Sequence, residues 1–293
     1  MKTIIINKSQ HNKKIVQVIT SVFPEVSLSS VYKALRRKDI KINGKRIKED
    51  ISVRENDFIE IFIDDSILIK EASLTISYED NNILIIDKPQ GLKVHPDGEN
   101  NIKSLIEILN ETYKMEIYLC HRLDRNTGGL IIAAKDKLSA EIISNKIKTN
   151  EIRKIYRCRV HGKPPKQHDI LSAHHTKSSK NSLVFISDEQ TPSSKKILTE
   201  YQFISFDKDT NTSILEITLI TGKTHQIRAH MAHIGLPVVG DGKYGSNKVK
   251  KQLGEKQKYQ SLFSHKIEFS FTSPAGKLDY LKNKIILRQT SEL

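Results

Sequence analysis

Three stretches of the chain hold residue types that could act together as chemistry. In His121-Arg-Leu-Asp-Arg-Asn-Thr-Gly-Gly-Leu130, a single carboxylate, Asp124, lies in a polar run between apolar segments and is flanked by Arg122 and Arg125. Loops held by rigid strands often carry reactive groups, although a lone aspartate is otherwise an ordinary solvated side chain. The second stretch is Ile155-Tyr156, where a tyrosine falls on the apolar face of an alternating segment. It is either core packing or an aromatic plane for a base. The third is Thr221-Gly-Lys-Thr-His-Gln-Ile-Arg-Ala-His-Met-Ala-His-Ile-Gly235. Thr224 reads as an N-cap, Ile227, Met231 and Ile234 as a buried stripe, and Gly235 with Pro237 as the stop. Arg228 then sits in the first turn, where the helix dipole disfavours a cation, so a carboxylate partner is expected. His225, His230 and His233 invite a metal reading, but spacings of five and three with no second cluster favour caps, packing or phosphate contacts.

The rest of the chain bounds what those residues can be doing. It has 293 residues, a formal charge of +14 and a sequence pI near 9.5. Such an excess attracts polyanions through electrostatics and counterion release. No run approaches the ~18 apolar residues of a membrane span, and the start is too short in apolar residues for a secretory signal. Two cysteines, Cys120 and Cys158, support neither a disulfide framework nor a four-cysteine zinc site. They read as buried reduced thiols in a cytoplasmic protein. No phosphate-loop motif occurs, and no cofactor is expected.

The front of the chain reads as a small basic module. Residues 12–23 suit a short amphipathic helix stopped by Pro24, and residues 28–37 a second one with Leu28, Val31, Tyr32 and Leu35 on one face. Asn43-Gly44 between Ile40-Lys-Ile42 and Lys45-Arg-Ile47 is a strong hairpin signal, and residues 58–63 read as a closing strand. Between Leu28 and Lys48 there are eight basic residues (Lys33, Arg36, Arg37, Lys38, Lys41, Lys45, Arg46, Lys48) against one acid, Asp39. Helix and hairpin together would gather them on one surface, a phosphate-binding footprint. Residues 64–66 look like a linker, dividing a domain of residues 1–66 from one of residues 67–293.

The larger domain mixes strands and helices. Ile83–Ile86 and Leu130–Ala134 read as buried strands, residues 101–113 as a helix, and Asp136 as the N-cap of a helix reaching about Lys148. Residues 151–160 alternate, with Tyr156, Cys158 and Val160 on one face and Arg153, Arg157 and Arg159 on the other. Residues 166–196 and 246–260 are polar and read as loop-heavy. The fold class is therefore α+β rather than a parallel βαβ array.

Residues 13–63 resemble the S-four RNA-binding domain named after a small-subunit ribosomal protein. His-Arg-Leu-Asp-x-x-Thr at residues 121–127, then Lys154-Ile-Tyr156, then Thr-Gly-Lys-Thr-His-Gln-Ile-Arg at residues 221–228, resemble the RluA-type pseudouridine synthases. Tyr78-Glu-Asp-Asn-Asn-Ile-Leu-Ile-Ile-Asp-Lys-Pro-Gln-Gly-Leu92 and Gly240-Asp-Gly-Lys-Tyr-Gly245 match further segments of that family, in its order.

The resemblance implies a mixed, largely antiparallel sheet core with flanking helices, plus the small N-terminal α/β RNA-binding domain. The activity it implies is isomerisation of uridine in RNA, with no cofactor and no metal. Asp124 would be the catalytic carboxylate, as nucleophile or as base. Arg228 would pair with it, and Tyr156 would stack on the uracil and help remove a proton. Arg122 would fill the space left by the extruded nucleotide or bind the adjacent backbone. His121, Lys33, Arg36, Arg37, Lys45 and Arg46 would bind RNA. Ribosomal RNA of the large subunit is the favoured partner and transfer RNA the other, with a monomer as default. The sequence departs from the pattern at Gly128, often Ser in the family, which would loosen the loop, and at Lys223, where Arg is common. The competing reading is a catalytically inert RNA-binding or ribosome-assembly factor with a synthase-like domain. A third, a His/Asp hydrolase acting on RNA, has only the three histidines in its favour.

Overall fold

The computed structural model describes residues 2–23, 26, 28–62, 74–96, 103–178, 183–245 and 259–289. Pro24, the linker at residues 64–66, Ile102 and residues 246–258 lie outside them. The chain divides into two compact units, Met1–Ser73 with Gly98–Lys103, and Leu74–Asp97 with Ser104–Leu293.

The first unit contains β1 (Lys2–Ile5), α1 (Ile15–Val22), α2 (Leu28–Arg36), β2 (Ile40–Ile42), β3 (Lys45–Ile47) and β4 (Phe58–Ile61). Its antiparallel sheet runs β1-β4-β2-β3. Ile15, Val18 and Ile19 of α1 and Val31 and Leu35 of α2 close over Ile40, Ile59 and Ile61. The expected hairpin joins β2 to β3, with Asn43 and Gly44 both left-handed at φ 50° and 79°, as a two-residue primed turn demands.

Residues 2–5, to which the sequence patterning assigns no element, form a sheet strand. In α2 the buried arc centres on Val31, Ala34 and Leu35, which turns Leu28 and Tyr32 to the rim, 58% and 41% exposed. Arg36, Arg37, Lys45 and Arg46 are exposed and Lys33 is half-buried. Arg46 Nη1 donates to the Lys38 carbonyl at 2.9 Å, tying the hairpin to the end of α2.

The second unit contains β5 (Thr75–Glu79), β6 (Ile83–Lys88), α3 (Leu105–Tyr113), β7 (Tyr118–Leu119), β8 (Gly128–Ala134), α4 (Lys137–Lys148), β9 (Ile152–His161), β10 (His168–Lys177), β11 (Val184–Ser187), β12 (Lys195–Asp207), β13 (Thr212–Leu219), α5 (Gln226–His233), β14 (Leu262–Phe269) and β15 (Ile285–Leu287). One sheet runs β11-β10-β12-β13-β9-β14-β8-β6-β5, with β15 beside β14 and β7 beside β8. Asp136 caps α4 as expected, its Oδ1 accepting from Ser139 N–H at 3.0 Å. Residues 166–196 are not loop-heavy. β10 pairs with β12 from His168↔Gln202 to His175↔Lys195, and β11 extends the edge. Only Ala173 and His175 of β10 are buried, so ladder hydrogen bonds rather than an apolar alternation hold this ribbon. Cys158 is buried and Cys120 half-buried, both free thiols pushed up to about 12 by burial. No helix among the described residues is long and apolar enough to cross a membrane.

Every pairing in the larger sheet is antiparallel except one. β8 meets β14 in parallel through Gly128↔Phe263 and Gly129↔Ser264. Gly129 sits at φ 99°, and a Cβ there would drive into the Ser264 backbone. At Gly128 a Cβ would meet the Phe263 ring at 2.7 Å. Gly128 therefore belongs to a packed strand and does not loosen the loop before it. Gly129→Ala should cost at least about 2 kcal/mol through strain and clash, read as a fall in urea midpoint. Gly222→Ala, with open space around its Cβ, should stay within about 0.5 kcal/mol of the parent.

Candidate active site

The polar loop that precedes β8 is held from below by an interior lysine. Lys88 has no exposed surface. Its Nζ donates to the carbonyls of Pro89 and Leu92 at 2.9 Å and of Arg125 at 3.1 Å. Burial depresses its pKa to about 7, against the opposing charges of Asp124 and Asp87. Gly91 N–H donates to the Arg125 carbonyl and Arg125 Nε returns a bond to the Gly91 carbonyl, at 2.9 and 3.0 Å. The turn after β6 and the loop carrying Asp124 are thus one hydrogen-bonded body.

Asp124 projects from that body to Arg228, whose Nη1 donates to Oδ2 at 2.9 Å. Arg228 has a second carboxylate behind it. Its Nε and Nη2 donate to Asp241 Oδ2 and Oδ1 at 2.7 and 3.0 Å, a bidentate pair. Asp241 is fully buried, and its Oδ1 also accepts from the N–H groups of Lys243 and Tyr244. Burial opposes both charges. The mutual ion pair outweighs it, so Arg228 is raised and Asp241 lowered. The expected carboxylate partner of Arg228 is therefore present twice over. Sequence reasoning gave Asp241 no role, although its Gly-Asp-Gly setting marked a tight turn.

A cavity of about 540 Å³ opens on this pair, lined among others by Asp124, Tyr156, Arg122, Lys154, His225 and Arg228. That volume suits a small molecule or an extruded nucleotide. Tyr156 is 5% exposed. Burial, then the charge of Asp124, pushes its hydroxyl pKa up. No described residue hydrogen-bonds that hydroxyl, unlike a satisfied core tyrosine. Lys154, two residues away on the same face of β9, has no ion-pair partner among the described residues and is lowered to about 8 by burial. Arg122 and Lys223 are exposed at the cavity wall. His121 lines the cavity too, but its Nε2 accepts from Ile132 N–H at 3.0 Å, and burial holds its pKa down at about 3. It acts there as a neutral anchor between loop and strand.

The cap of α5 differs from expectation. Its N-cap is His225, left-handed at φ 53°, rather than Thr224. His225 makes no side-chain cap bond; Gln226 Oε1 instead reaches back out of the helix to accept from Lys223 N–H and Thr221 Oγ1, both at 3.0 Å, fixing the turn before it. The helix is buried on nearly every side, so the stripe reading of Ile227 and Met231 captured only part of it, and Ile234 is half-buried. Its three histidines diverge. His225 Nε2 lies 3.8 Å from Asp124 Oδ2, His230 Nδ1 bonds Thr199 Oγ1 at 2.9 Å, and His233 Nε2 lies 2.9 Å from Asp188. No group of three metal-ligand side chains occurs among the described residues.

The family model for RNA pseudouridylate synthase matches residues 82–233. A Mycoplasma capricolum protein named as an uncharacterized RNA pseudouridine synthase is 31% identical over 98% of this chain and 97% of its own. Ribosomal large subunit pseudouridine synthase C of Buchnera aphidicola is 31% identical over 92% of this chain and 89% of its own. Among solved structures, human RNA pseudouridylate synthase domain containing 1 superposes with a TM-score of 0.58 at 21% identity, over 75% of this chain and 91% of that one. That likeness speaks to the fold.

The ion-pair chain gives a measurable pH dependence. Asp241→Asn should destabilise the protein by about 2–4 kcal/mol near neutral pH, because it leaves the buried guanidinium one carboxylate, Asp124, where it had two. Since folding lowers the Asp241 pKa, its contribution is complete above the unfolded carboxylate pKa and fades as pH falls through the folded one. The difference in urea midpoint between parent and variant should therefore narrow below about pH 4.

Proposed function

The chain belongs to the RNA pseudouridylate synthase family and is an RNA pseudouridine synthase, an isomerase; from that premise we propose that Asp124 is its catalytic carboxylate and that its substrate is ribosomal RNA of the large subunit. The reaction moves atoms without adding any. The N1–C1′ bond of a uridine breaks, the ring turns, C5 bonds to C1′, C5 loses its proton and N1 gains one. The observation that carries the reading is Asp124, fastened by Arg228 at 2.9 Å, opening onto a cavity whose wall includes a tyrosine with an unspent hydroxyl. A lone surface aspartate has no such setting.

The nucleotide must leave its stack for the reacting bond to be reached, at about a few kcal/mol. Tyr156 takes the uracil face and Arg122 the space or backbone left behind. Arg228 fixes the carboxylate's orientation through charge-assisted bonds, and no group outside the chain is called on. Asp124 attacks the ribose or base, or removes a proton so that a glycal forms. The inert-binder alternative fits less well, because nothing in binding calls for a carboxylate so held.

Residues 1–66 act, on this reading, as an S-four-like RNA-binding domain for the synthase domain of residues 67–293. The basic face of α2 and the β2–β3 hairpin supports it, with Lys33, Arg36, Arg37, Lys45 and Arg46 on phosphates. The names of the Buchnera relative and a Rickettsia bellii one, 31% identical over 85% of this chain, support the choice of large-subunit RNA. The protein works as a cytoplasmic monomer.

Asp124→Asn should bind RNA as the parent does and form no pseudouridine, measured by mapping pseudouridine in ribosomal RNA; parental turnover in the variant refutes the assignment. Replacing Arg36, Arg37, Lys45 and Arg46 with Ser should lower RNA affinity at least about 10-fold and reduce its salt slope by about 3. The single-turnover rate at saturating enzyme should stay within about 3-fold of the parent, since these side chains contribute phosphate contacts rather than chemistry.

A further inference from the structure

Val184 N–H donates to the Tyr244 hydroxyl at 3.1 Å, and that hydroxyl lies 2.8 Å from His225 Nδ1. Among the described residues these are its hydrogen-bond partners. A phenol has one proton. With the amide already donating to the oxygen, the phenol proton has Nδ1 as its acceptor. In a neutral imidazole the ring proton is then on Nε2. Nε2 points to Asp124 Oδ2, 3.8 Å away, the same oxygen that Arg228 holds. Asp124 Oδ1 takes a bond from no described side chain.

The backbone is arranged for the same end. His225 is left-handed at φ 53° and ψ 21°, a conformation that L-residues adopt at a cost and that clusters at functional sites. Tyr244 is fixed in turn by its N–H bond to Asp241 Oδ1 and by the Arg228 guanidinium 5.3 Å over its ring. Asp241 thus reaches Asp124 by two routes, through Arg228 and through Tyr244 and His225. Burial lowers the His225 pKa. Asp124 and Asp241 oppose that shift and Arg228 and Lys243 reinforce it, which agrees with a neutral ring.

We propose that His225 is a positioning residue for Asp124: its Nε2–H, fixed in that tautomer by Tyr244, closes on Oδ2 when the site fills. Oδ2 is then the anchored oxygen, and Oδ1 is the one that meets the nucleoside. At 3.8 Å the contact is longer than a hydrogen bond, and such contacts often tighten only with substrate bound. The proposal rests on Asp124 being the catalytic carboxylate.

Two measurements on the full chain test it. In protein labelled with ¹⁵N-histidine at neutral pH, the His225 ring should show a protonated Nε2 and a bare Nδ1, and Tyr244→Phe should give a mixture of tautomers. Single-turnover isomerisation should fall about 30-fold in His225→Asn, which keeps a left-handed-tolerant residue but is too short to reach Oδ2, with RNA affinity within about 2-fold. His225→Gln, whose amide nitrogen reaches the position of Nε2, should recover to within about 3-fold of the parent. A protonated Nδ1 in the parent, parental turnover in His225→Asn, or an equal loss in folded Asn and Gln variants overturns the proposal. The tautomer needs no turnover to be read, so it bears on His225 alone, whereas activity in Asp124→Asn overturns the reading beneath.

Discussion

A guanidinium has five N–H groups in one rigid plane, and Arg228 divides them between two carboxylates. The bidentate bond to Asp241 uses Nε and Nη2 and leaves no torsional freedom in the plane, so the direction of Nη1 is set before Asp124 arrives. This is why a residue so far along the chain from Asp124 can place its oxygen. Buried ion pairs are weak evidence of net stabilisation, since desolvation consumes most of the Coulomb gain. Their value here is orientation. The desolvation of Asp241 is further offset by two backbone N–H groups from its own turn, which makes that turn, rather than the helix, the fixed point of the site.

The sheet supplies the opposing half. Asp124 lies at the end of a loop that runs straight into β8, and β8 is the strand that makes the parallel pairing with β14. Glycine at 128 and 129 lets the two backbones approach where side chains would hold them apart. Lys88 then gathers three carbonyls, those of Pro89 and Leu92 and that of Arg125, which Gly91 N–H also bonds. An apolar residue there would take this donor from the Pro89 and Leu92 carbonyls, at about 1–3 kcal/mol each. The loop is consequently rigid because its polar backbone is satisfied from within, and its carboxylate faces Arg228 without needing order from a ligand.

What could be read in advance follows from how local each cause is. Asn43-Gly44 and Asp136 act on their immediate neighbours, and both turn and cap are where the sequence indicates. Arg228 was marked by a misfit with its helix dipole, and the misfit has its explanation in Asp124 and Asp241. The missed features depend on pairings across the fold. β10 and β11 bury too little for a pattern to form. Asp241 and Lys88 draw their meaning from partners that only the folded sheet brings near. Thr224 has the composition of a cap, but the left-handed turn falls one residue later, at His225, and Gln226 ties back to the Lys223 amide ahead of it.

Tyr156 carries two proposed roles, and its surroundings separate them in time. Burial and the nearby charge of Asp124 both raise its pKa, so in the open site it is a neutral phenol, fit to stack and to donate a hydrogen bond but poor as a base. Isomerisation needs a proton taken from C5 only after C5 has joined C1′. If Asp124 is by then esterified to the nucleoside, its charge is gone and the electrostatic part of the upward shift goes with it. If Asp124 instead acts as a base, protonating it removes the same charge. On either route the electrostatic part is lost while burial, the larger cause, remains. Tyr156 thus stays a neutral phenol and can take the late proton only as its own hydroxyl proton passes on. Burial in the pocket wall, more than the charge of Asp124, therefore keeps the tyrosine protonated while the uracil binds.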